Sequence, residues 1–145
     1  MDIKTALRQL RSEKKEINEL KLLRDSKVSM LTSGAIRYDR PKVQTSPEDM
    51  MLKLGAEIAD LDAEIEKHIR NILKREADCM AAINRIEKSD YRRILQMRYI
   101  GEKSMTWAQI GNVMGFSEDW VKHKHGDALN EARKYWKNSS QNNYI

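Results

Sequence analysis

The sequence predicts an all-α protein: a long, coiled-coil-like helical hairpin followed by a small helix-turn-helix domain of three or four helices. Apolar residues recur every three or four positions over two long stretches of the first 88 residues. Only two prolines and six glycines interrupt the chain, and its composition is that of amphipathic helices. Because only 6% of the residues are aromatic and 34% are charged, a large single core is not expected.

Three segments are expected. Residues 1–88 form the hairpin, which serves oligomerisation or partner contact, residues 89–137 form the helix-turn-helix domain, and residues 138–145 form a disordered tail. The first helix should run from about residue 2 to about residue 30, and Lys14 interrupts its apolar stripe. The stripe consists of Ile3, Leu7, Leu10, Ile17, Leu20 and Leu23. Thr32, Ser33 and Gly34 are stop signals, and a connection to Ser46 follows, with Ile36, Tyr38 and Val43 expected to pack.

The second helix has the strongest start signal in the chain. Ser46 is a capping residue, Pro47 occupies the first helical position, and Glu48 and Asp49 lie near the positive end of the helix dipole. Its apolar stripe predicts a helix to about Lys88. The stripe consists of Leu54, Ile58, Leu61, Ile65, Ile69, Ile72, Cys79, Ile83 and Ile86.

Charge favours an antiparallel arrangement of these two helices. Residues 48–66 carry seven acidic residues and one lysine, whereas Lys21, Arg24 and Lys27 lie near the end of the first helix. The second helix is longer, so it should leave an apolar strip exposed. We therefore expect either a homodimer or docking of the C-terminal domain on this strip.

A third helix should support the helix-turn-helix domain. Ser89 and Asp90 begin it, Ile94 and Leu95 point inward, and Gly101 follows its end at Ile100. After the next two helices, the chain should remain helical through Ala132, Tyr135 and Trp136.

Residues 106–129 have the pattern of two short helices joined by a tight turn. Thr106 and Gln109 form a capping-box pair, and Gly115 provides the left-handed conformation of the turn. The first helix should carry Ile110, Val113 and Met114 inward, and Phe116 should fill the angle between the helices.

The second helix of this pair has an inward stripe and a polar outward face. Ser117 caps it, and Val121, Ala128 and Leu129 point inward. The outward residues are Glu118, Asp119, Lys122, His123 and Lys124. Such hydrogen-bonding and cationic side chains suit a recognition helix in a major groove.

The C-terminal part resembles the promoter-reading region of sigma factors. The resemblance is carried by Arg93, Leu95, Arg98, Tyr99, Gly101, Ser104, Trp107, Ile110, Gly115, Ser117, Val121, Ala128 and Leu129. Small phage-encoded proteins of the ArpU and RinA types of late-gene activator are also similar, because they share a Tyr38-Asp39 and a Val43 to Pro47 type of segment. The resemblance implies DNA binding and transcription control. Gly111 and Lys124 depart from the pattern, which usually has alanine and an aliphatic residue at these positions.

Charge is consistent with a nucleic-acid partner. The net charge is +5, and residues 89–145 hold nine basic and six acidic residues. Arg92, Arg93, Arg98 and Lys103 are candidates for phosphate contacts, with solvated helix charges as the alternative. The predicted DNA-binding residues are Ser117, Glu118, Asp119, Lys122, His123, Lys124, Arg92, Arg93, Arg98 and Lys103.

Several classes of function are not expected. Cys79 is the only cysteine, so a disulfide within the chain and a zinc site of several thiolates are excluded. His123 and His125 diverge on a helix, so no metal is expected. No cofactor motif, catalytic motif, signal peptide or membrane span is evident, and we expect a non-enzymatic protein in the cytoplasm of a bacterial host.

Double-stranded DNA is the expected partner, with RNA polymerase as a further candidate and a homodimer as the expected assembly. The first functional hypothesis is a phage or prophage transcriptional regulator, with activation favoured. The alternatives are a component of DNA packaging similar to a small terminase subunit, and a helical protein-protein adaptor.

Overall fold

The computed structural model describes residues 1–33 and 46–137. These residues form five α-helices and no strand, which confirms the all-α fold. The helices are α1 (Ile3–Thr32), α2 (Pro47–Ile83), α3 (Ser89–Tyr99), α4 (Trp107–Met114) and α5 (Glu118–Tyr135). The predicted packing of Ile36, Tyr38 and Val43, and the predicted disorder of residues 138–145, lie outside the described residues.

The chain forms two compact units, and both long helices pass through both of them. Unit 1 comprises Met1–Lys14 and Asn71–Ile145, and unit 2 comprises Lys15–Arg70. The predicted domain boundary at residue 88 stays a prediction.

Within unit 2, segments of α1 and α2 run antiparallel, as their charges predict. Arg24 Nη1 lies 3.2 Å from Asp62 Oδ1, and Lys27 Nζ lies 2.7 Å from Glu57 Oε2. From the first ion pair to the second, the residue number rises on α1 and falls on α2, as it must for antiparallel helices. Leu23 was predicted to point inward, but 48% of it is exposed. The apolar interior of unit 2 is narrow, and its buried apolar residues among those described are Ile17, Leu54 and Ile65.

Unit 1 has a continuous core built from α1, α2, α3 and α5. The N-terminal turns of α1 supply Ile3, Ala6 and Leu7, while α3 supplies Leu95 and Tyr99. The other buried members are Cys79, Ala82, Ile83, Ile86, Tyr91, Ala128, Leu129 and Ala132. The start of α1 is therefore part of the packing that holds α5 in place.

The second long helix begins as predicted but ends earlier. The Ser46 hydroxyl accepts a hydrogen bond from the backbone N–H of Asp49 at 3.2 Å. The predicted end near Lys88 was wrong, because α2 ends at Ile83. Beyond Ile83 the backbone hydrogen bonds come to span three residues instead of the four of an α-helix, as in the bond from Ile86 N–H to the Ile83 carbonyl at 3.1 Å. Ile86 is nevertheless buried, so the chain leaves the helix while still filling the core.

Lys14, which interrupts the apolar stripe of α1, binds the C-terminal end of α3. Its ammonium donates to the carbonyls of Tyr99 (2.9 Å) and Gly101 (2.8 Å), and it lies 2.9 Å from Glu76 Oε2. Only 10% of the Lys14 side chain is exposed. A cation is favourable at this site because the last carbonyls of a helix lack intrahelical partners and carry partial negative charge.

Among the described residues, no helix is long and apolar enough to cross a membrane.

Candidate nucleic-acid interface

Three helices of unit 1 form the arrangement that the sequence predicts for a helix-turn-helix. One buried residue from each of them meets in a small core: Ile94 of α3, Ile110 of α4 and Val121 of α5. Partly buried apolar side chains surround it, namely Met97, Met105, Trp107, Met114 and Trp120. This core fixes the angle at which α5 leaves the turn.

The turn between α4 and α5 has the predicted geometry. Thr106 and Gln109 form both bonds of the capping box, and Gly115 adopts the left-handed conformation with φ 79° and ψ 29°. The Gly111 carbonyl accepts from the N–H groups of Gly115 (2.8 Å) and Phe116 (2.9 Å). A Cβ atom at Gly111 would lie 2.6 Å from the Phe116 carbonyl oxygen. Close backbone packing therefore requires glycine where related motifs usually have alanine.

Two side chains of the motif do not point inward as predicted. Val113 is 55% exposed and Phe116 is 44% exposed, whereas Ile110 is fully buried. Ile110 is the buried residue that α4 contributes to the three-helix core, and Trp107 and Met114 pack against it as partly buried side chains. The Phe116 ring instead stacks on Trp120 with centroids 3.9 Å apart. The predicted role of Phe116 as a filler between the helices was therefore wrong.

The start of α5 presents the predicted polar residues to solvent. The Ser117 hydroxyl accepts from the N–H of Trp120 at 3.1 Å. Glu118, Asp119 and His123 are exposed. Lys122 is also exposed, and its Nζ lies 3.3 Å from Glu118 Oε1.

Lys124, the second departure from the sigma-like pattern, is half-buried. Its Nζ lies 3.8 Å from Asp127 Oδ2 and 5.9 Å from the centre of the Trp120 ring. The aliphatic stem covers apolar surface while the charge remains at the rim, which explains how a lysine is accommodated at this position.

Of the four basic residues outside α5 that were predicted to bind DNA, two bind backbone carbonyls and two are exposed. Arg92 donates to the carbonyls of Ile86 and Glu87, and Arg98 donates to the Met105 carbonyl at 2.9 Å. Each guanidinium group thus links its helix α3 to the backbone of a neighbouring connecting segment. Arg93 and Lys103 are exposed.

Arg98 is a cation in a partly buried, aromatic environment. Its guanidinium carbon lies 3.9 Å from the centre of the Trp107 ring, and its Nε atom is buried without a hydrogen-bond partner. Burial and the positive charge of Arg11 lower the pKa of Arg98.

His125 lies beside this arginine and points into the domain. Its Nε2 atom is 2.8 Å from the Tyr99 hydroxyl, and its ring packs edge-on against Trp107 with centroids 4.6 Å apart. Burial, assisted by the charges of Arg98, Lys4 and Arg8, lowers the pKa of His125 to about 4. His125 is therefore neutral at pH 7 and acts as a packing residue, while His123 is exposed.

A family model described as "Protein of unknown function (DUF1492)" matches residues 30–132. The chain belongs to this family. Comparison with curated proteins and with solved structures gave no match. The DUF1492 match includes α2, α3, α4 and most of α5, and with them all ten residues predicted to bind DNA.

One group of basic residues was missed, and it lies outside the span of the DUF1492 match. Lys4, Arg8 and Arg11 occur at intervals of four and three residues on α1, beside its apolar stripe. Among the described residues, none of the three takes part in an ion pair. The helical spacing of these cations could have shown from the sequence that they share one face of α1. That this face lies near the helix-turn-helix became clear only from the packing of α1 on α3 and α5.

Two further groups could suggest chemistry. Burial raises the pKa of the Cys79 thiol to about 12, so the thiolate that would act as a nucleophile is not formed at neutral pH. In unit 2, Glu16, Glu64 and His68 place one potential ligand atom each within 4.8 Å of one another. His68 Nε2 lies 3.7 Å from Glu16 and 3.9 Å from Glu64, which is the geometry of a surface ion-pair group.

Proposed function

We propose that this protein is a non-enzymatic transcriptional regulator of phage or prophage origin that binds duplex DNA with α5 in the major groove. The observation that carries the proposal is the three-helix core of Ile94, Ile110 and Val121 behind a glycine turn. This core holds α5 rigidly while the polar residues at its start remain exposed. The resemblance to ArpU and RinA types of late-gene activator favours activation.

Within this proposal, the outward residues of α5 have different roles. Lys122 approaches phosphates or guanine, and Asp119 can accept a hydrogen bond from the cytosine amino group. His123 can meet either a base edge or a phosphate. Arg93 and Lys103 are exposed and suit phosphate contacts, whereas Arg92 and Arg98 already bind backbone carbonyls and position neighbouring segments.

Dimerisation is part of the proposal, because unit 2 exposes large apolar side chains. The most exposed are Leu22 (71%) and Leu52 (73%). A second copy would cover this surface and would present two recognition helices to a DNA site with two half-sites. RNA polymerase is a further proposed partner. Sedimentation of the full chain should give a dimer, whereas a ring of many copies would favour the DNA-packaging alternative.

The central test compares two charge reversals on α5. Lys122 and Lys134 each form a surface ion pair within the helix, with Glu118 and Glu131 respectively. Lys122→Glu should abolish binding to the genomic fragments that the parent retains, because it places a repulsive charge beside phosphates. Lys134→Glu, near the other end of the helix, should have a small effect, and both variants should melt as the parent does.

The readout is a titration of fluorescent DNA at several salt concentrations. Parent binding should weaken steeply as salt rises, because phosphate contacts release counterions. If Lys122→Glu binds as the parent does, the outward face of α5 is not the DNA surface and the protein-adaptor alternative becomes the better one.

A further inference from the structure

The N-terminal turns of α1 carry cations that no carboxylate among the described residues pairs with. Other cations of unit 1 form ion pairs: Lys14 lies beside Glu76, and Arg75 pairs with Glu13. In contrast, Lys4, Arg8 and Arg11 make no ion pair within the described residues. An unbalanced positive surface of this kind is where an anionic partner binds most favourably.

The packing of unit 1 brings these cations to one place with Arg98. Ile3 and Leu7 share a core with Tyr99 and Leu129, and the Lys14 ammonium binds the Tyr99 carbonyl. The adjoining face of α1, which carries Lys4, Arg8 and Arg11, therefore lies beside the end of α3. We call Lys4, Arg8 and Arg11 the α1 basic cluster, and Arg98 lies beside it.

Electrostatics within unit 1 agree with this placement. Burial raises the pKa of Tyr99, and the charges of Arg98, Arg8 and Arg11 act against that rise. Burial lowers the pKa of His125, and the charges of Arg98, Lys4 and Arg8 add to that effect. Burial and then the charge of Arg11 lower the pKa of the partly buried Arg98, and repulsion between these like charges destabilises the free protein. Bound anions would relieve this repulsion.

We propose that the α1 basic cluster binds the phosphate backbone of duplex DNA beside the groove that α5 enters. The inference rests on the proposed function and extends the DNA surface to a helix outside the helix-turn-helix. His125 connects the two surfaces: its ring contacts Tyr99, and Lys122 lies one helical turn earlier on the same side of α5. From Lys4 to Arg11, α1 spans about 10 Å, which corresponds to about three phosphates of one strand.

Phosphate, rather than a base edge, is the expected contact for this cluster. Two of its members on α1 are arginines, whose planar guanidinium groups bind phosphate oxygens through two hydrogen bonds. The cluster lies on the flank of the domain, where a protein fixes its register on the duplex, whereas sequence is read by residues in the groove. Its contribution should therefore be independent of DNA sequence.

The test uses the full chain and a mixed-sequence 30-base-pair duplex. In the double variant Arg8→Gln/Arg11→Gln, affinity should fall on the order of tenfold at moderate salt. The slope of log affinity against log salt should become about two units shallower, since each lost phosphate contact reduces the slope by about one. The conservative variant Arg8→Lys/Arg11→Lys should keep the parental slope. Lys74→Gln, which removes an exposed cation of α2 in the same unit, is the matched control and should also keep it.

The outcomes separate this inference from the proposed function. If Lys122→Glu abolishes binding but Arg8→Gln/Arg11→Gln keeps the parental salt slope, the inference is wrong and the proposed function stands. If the parent binds no duplex at any salt concentration, both are wrong. Capture of poly-glutamate by the parent in preference to DNA would overturn the inference in favour of an acidic protein partner. The double variant should melt no lower than the parent, because among the described residues neither arginine forms an ion pair and the loss of two like charges relieves repulsion.

Discussion

The two compact units use parts of the same two long helices but are stabilised in different ways. Unit 1 surrounds its helix segments with α3, α4 and α5 and buries a continuous core. Unit 2 has only the helix pair itself, buries Ile17, Leu54 and Ile65, and lines its rim with ion pairs. The same amphipathic pattern therefore gives a closed core only where further helices cover it. Unit 2 leaves apolar area that a partner could bury.

The distribution of tryptophan allows the two units to be followed separately. Trp107, Trp120 and Trp136 all belong to unit 1. Tryptophan fluorescence thus reports unit 1, while far-ultraviolet circular dichroism reports helix in both.

The largest effect is expected for Val121→Asp, which places a carboxylate in the three-helix core. Val121 is fully buried between Ile94 and Ile110, and burial of an unpaired charge costs several kcal/mol, a large share of what stabilises a small domain. The cooperative fluorescence transition on heating should disappear. Val113→Asp is the matched control, because Val113 is 55% exposed on α4. A parental transition in Val121→Asp would show that this core does not hold unit 1 together.

A smaller loss, about 3 kcal/mol, is expected for Lys14→Met. The substitution keeps an apolar stem but leaves the Tyr99 and Gly101 carbonyls and the Glu76 carboxylate without their cation. The fluorescence midpoint in urea should fall accordingly. Lys21→Met, at an exposed position of α1 in unit 2, should change stability by less than about 0.5 kcal/mol. Equal effects of the two substitutions would mean that Lys14 does not stabilise the end of α3.

Lys14 also shows where sequence reasoning reached its limit. Helix existence, the capping box at Thr106, the turn at Gly115 and the buried Val121 follow from local periodicity and capping chemistry, and the structure confirms them. Lys14 looked like an interruption of a stripe, since the two carbonyls that it binds lie more than 80 residues away in the sequence. Contacts between residues that are distant in the sequence leave no local pattern. The role of a residue such as Lys14, which depends on such contacts, could therefore not be predicted.

The same limit applies to the candidate site. Exposure of Asp119, Lys122 and His123 follows from helical phase and is confirmed. The inward prediction for Val113 failed because α4 meets the core through Ile110, Trp107 and Met114. That for Phe116 failed because its ring stacks on Trp120 and stays 44% exposed. The cations of α1 could be identified as neighbours of Arg98 only once Leu7 was seen in one core with Tyr99.

Acid should weaken unit 1 through His125. Its pKa in the folded chain is about 4, against 6.5 for the free side chain, so the unfolded chain binds a proton more readily. Stability is fully present above pH 6.5 and is lost as pH falls towards 4. The loss should be on the order of 2 kcal/mol after allowance for the partial exposure of the ring. His125→Gln should flatten the fluorescence midpoint between pH 7 and 5, whereas His123→Gln should not. A parental pH dependence in His125→Gln would contradict this assignment.

The smallest effect is expected for the ion pairs of unit 2. Arg24 and Asp62 are both substantially solvent-exposed, and the hydrogen bond from Lys27 holds the pKa of Glu57 below its usual value. Exposed pairs exchange protein contacts for water contacts at little net gain, so Arg24→Ala and Lys27→Ala should each shift the circular-dichroism midpoint by no more than about 2 °C. The fluorescence midpoint should not move. Ile65→Ala is the internal comparison, because Ile65 is buried and its truncation should cost about 2 kcal/mol or more. A larger loss from the ion-pair variants than from Ile65→Ala would mean that the rim, and not the narrow apolar interior, holds the helix pair of unit 2 together.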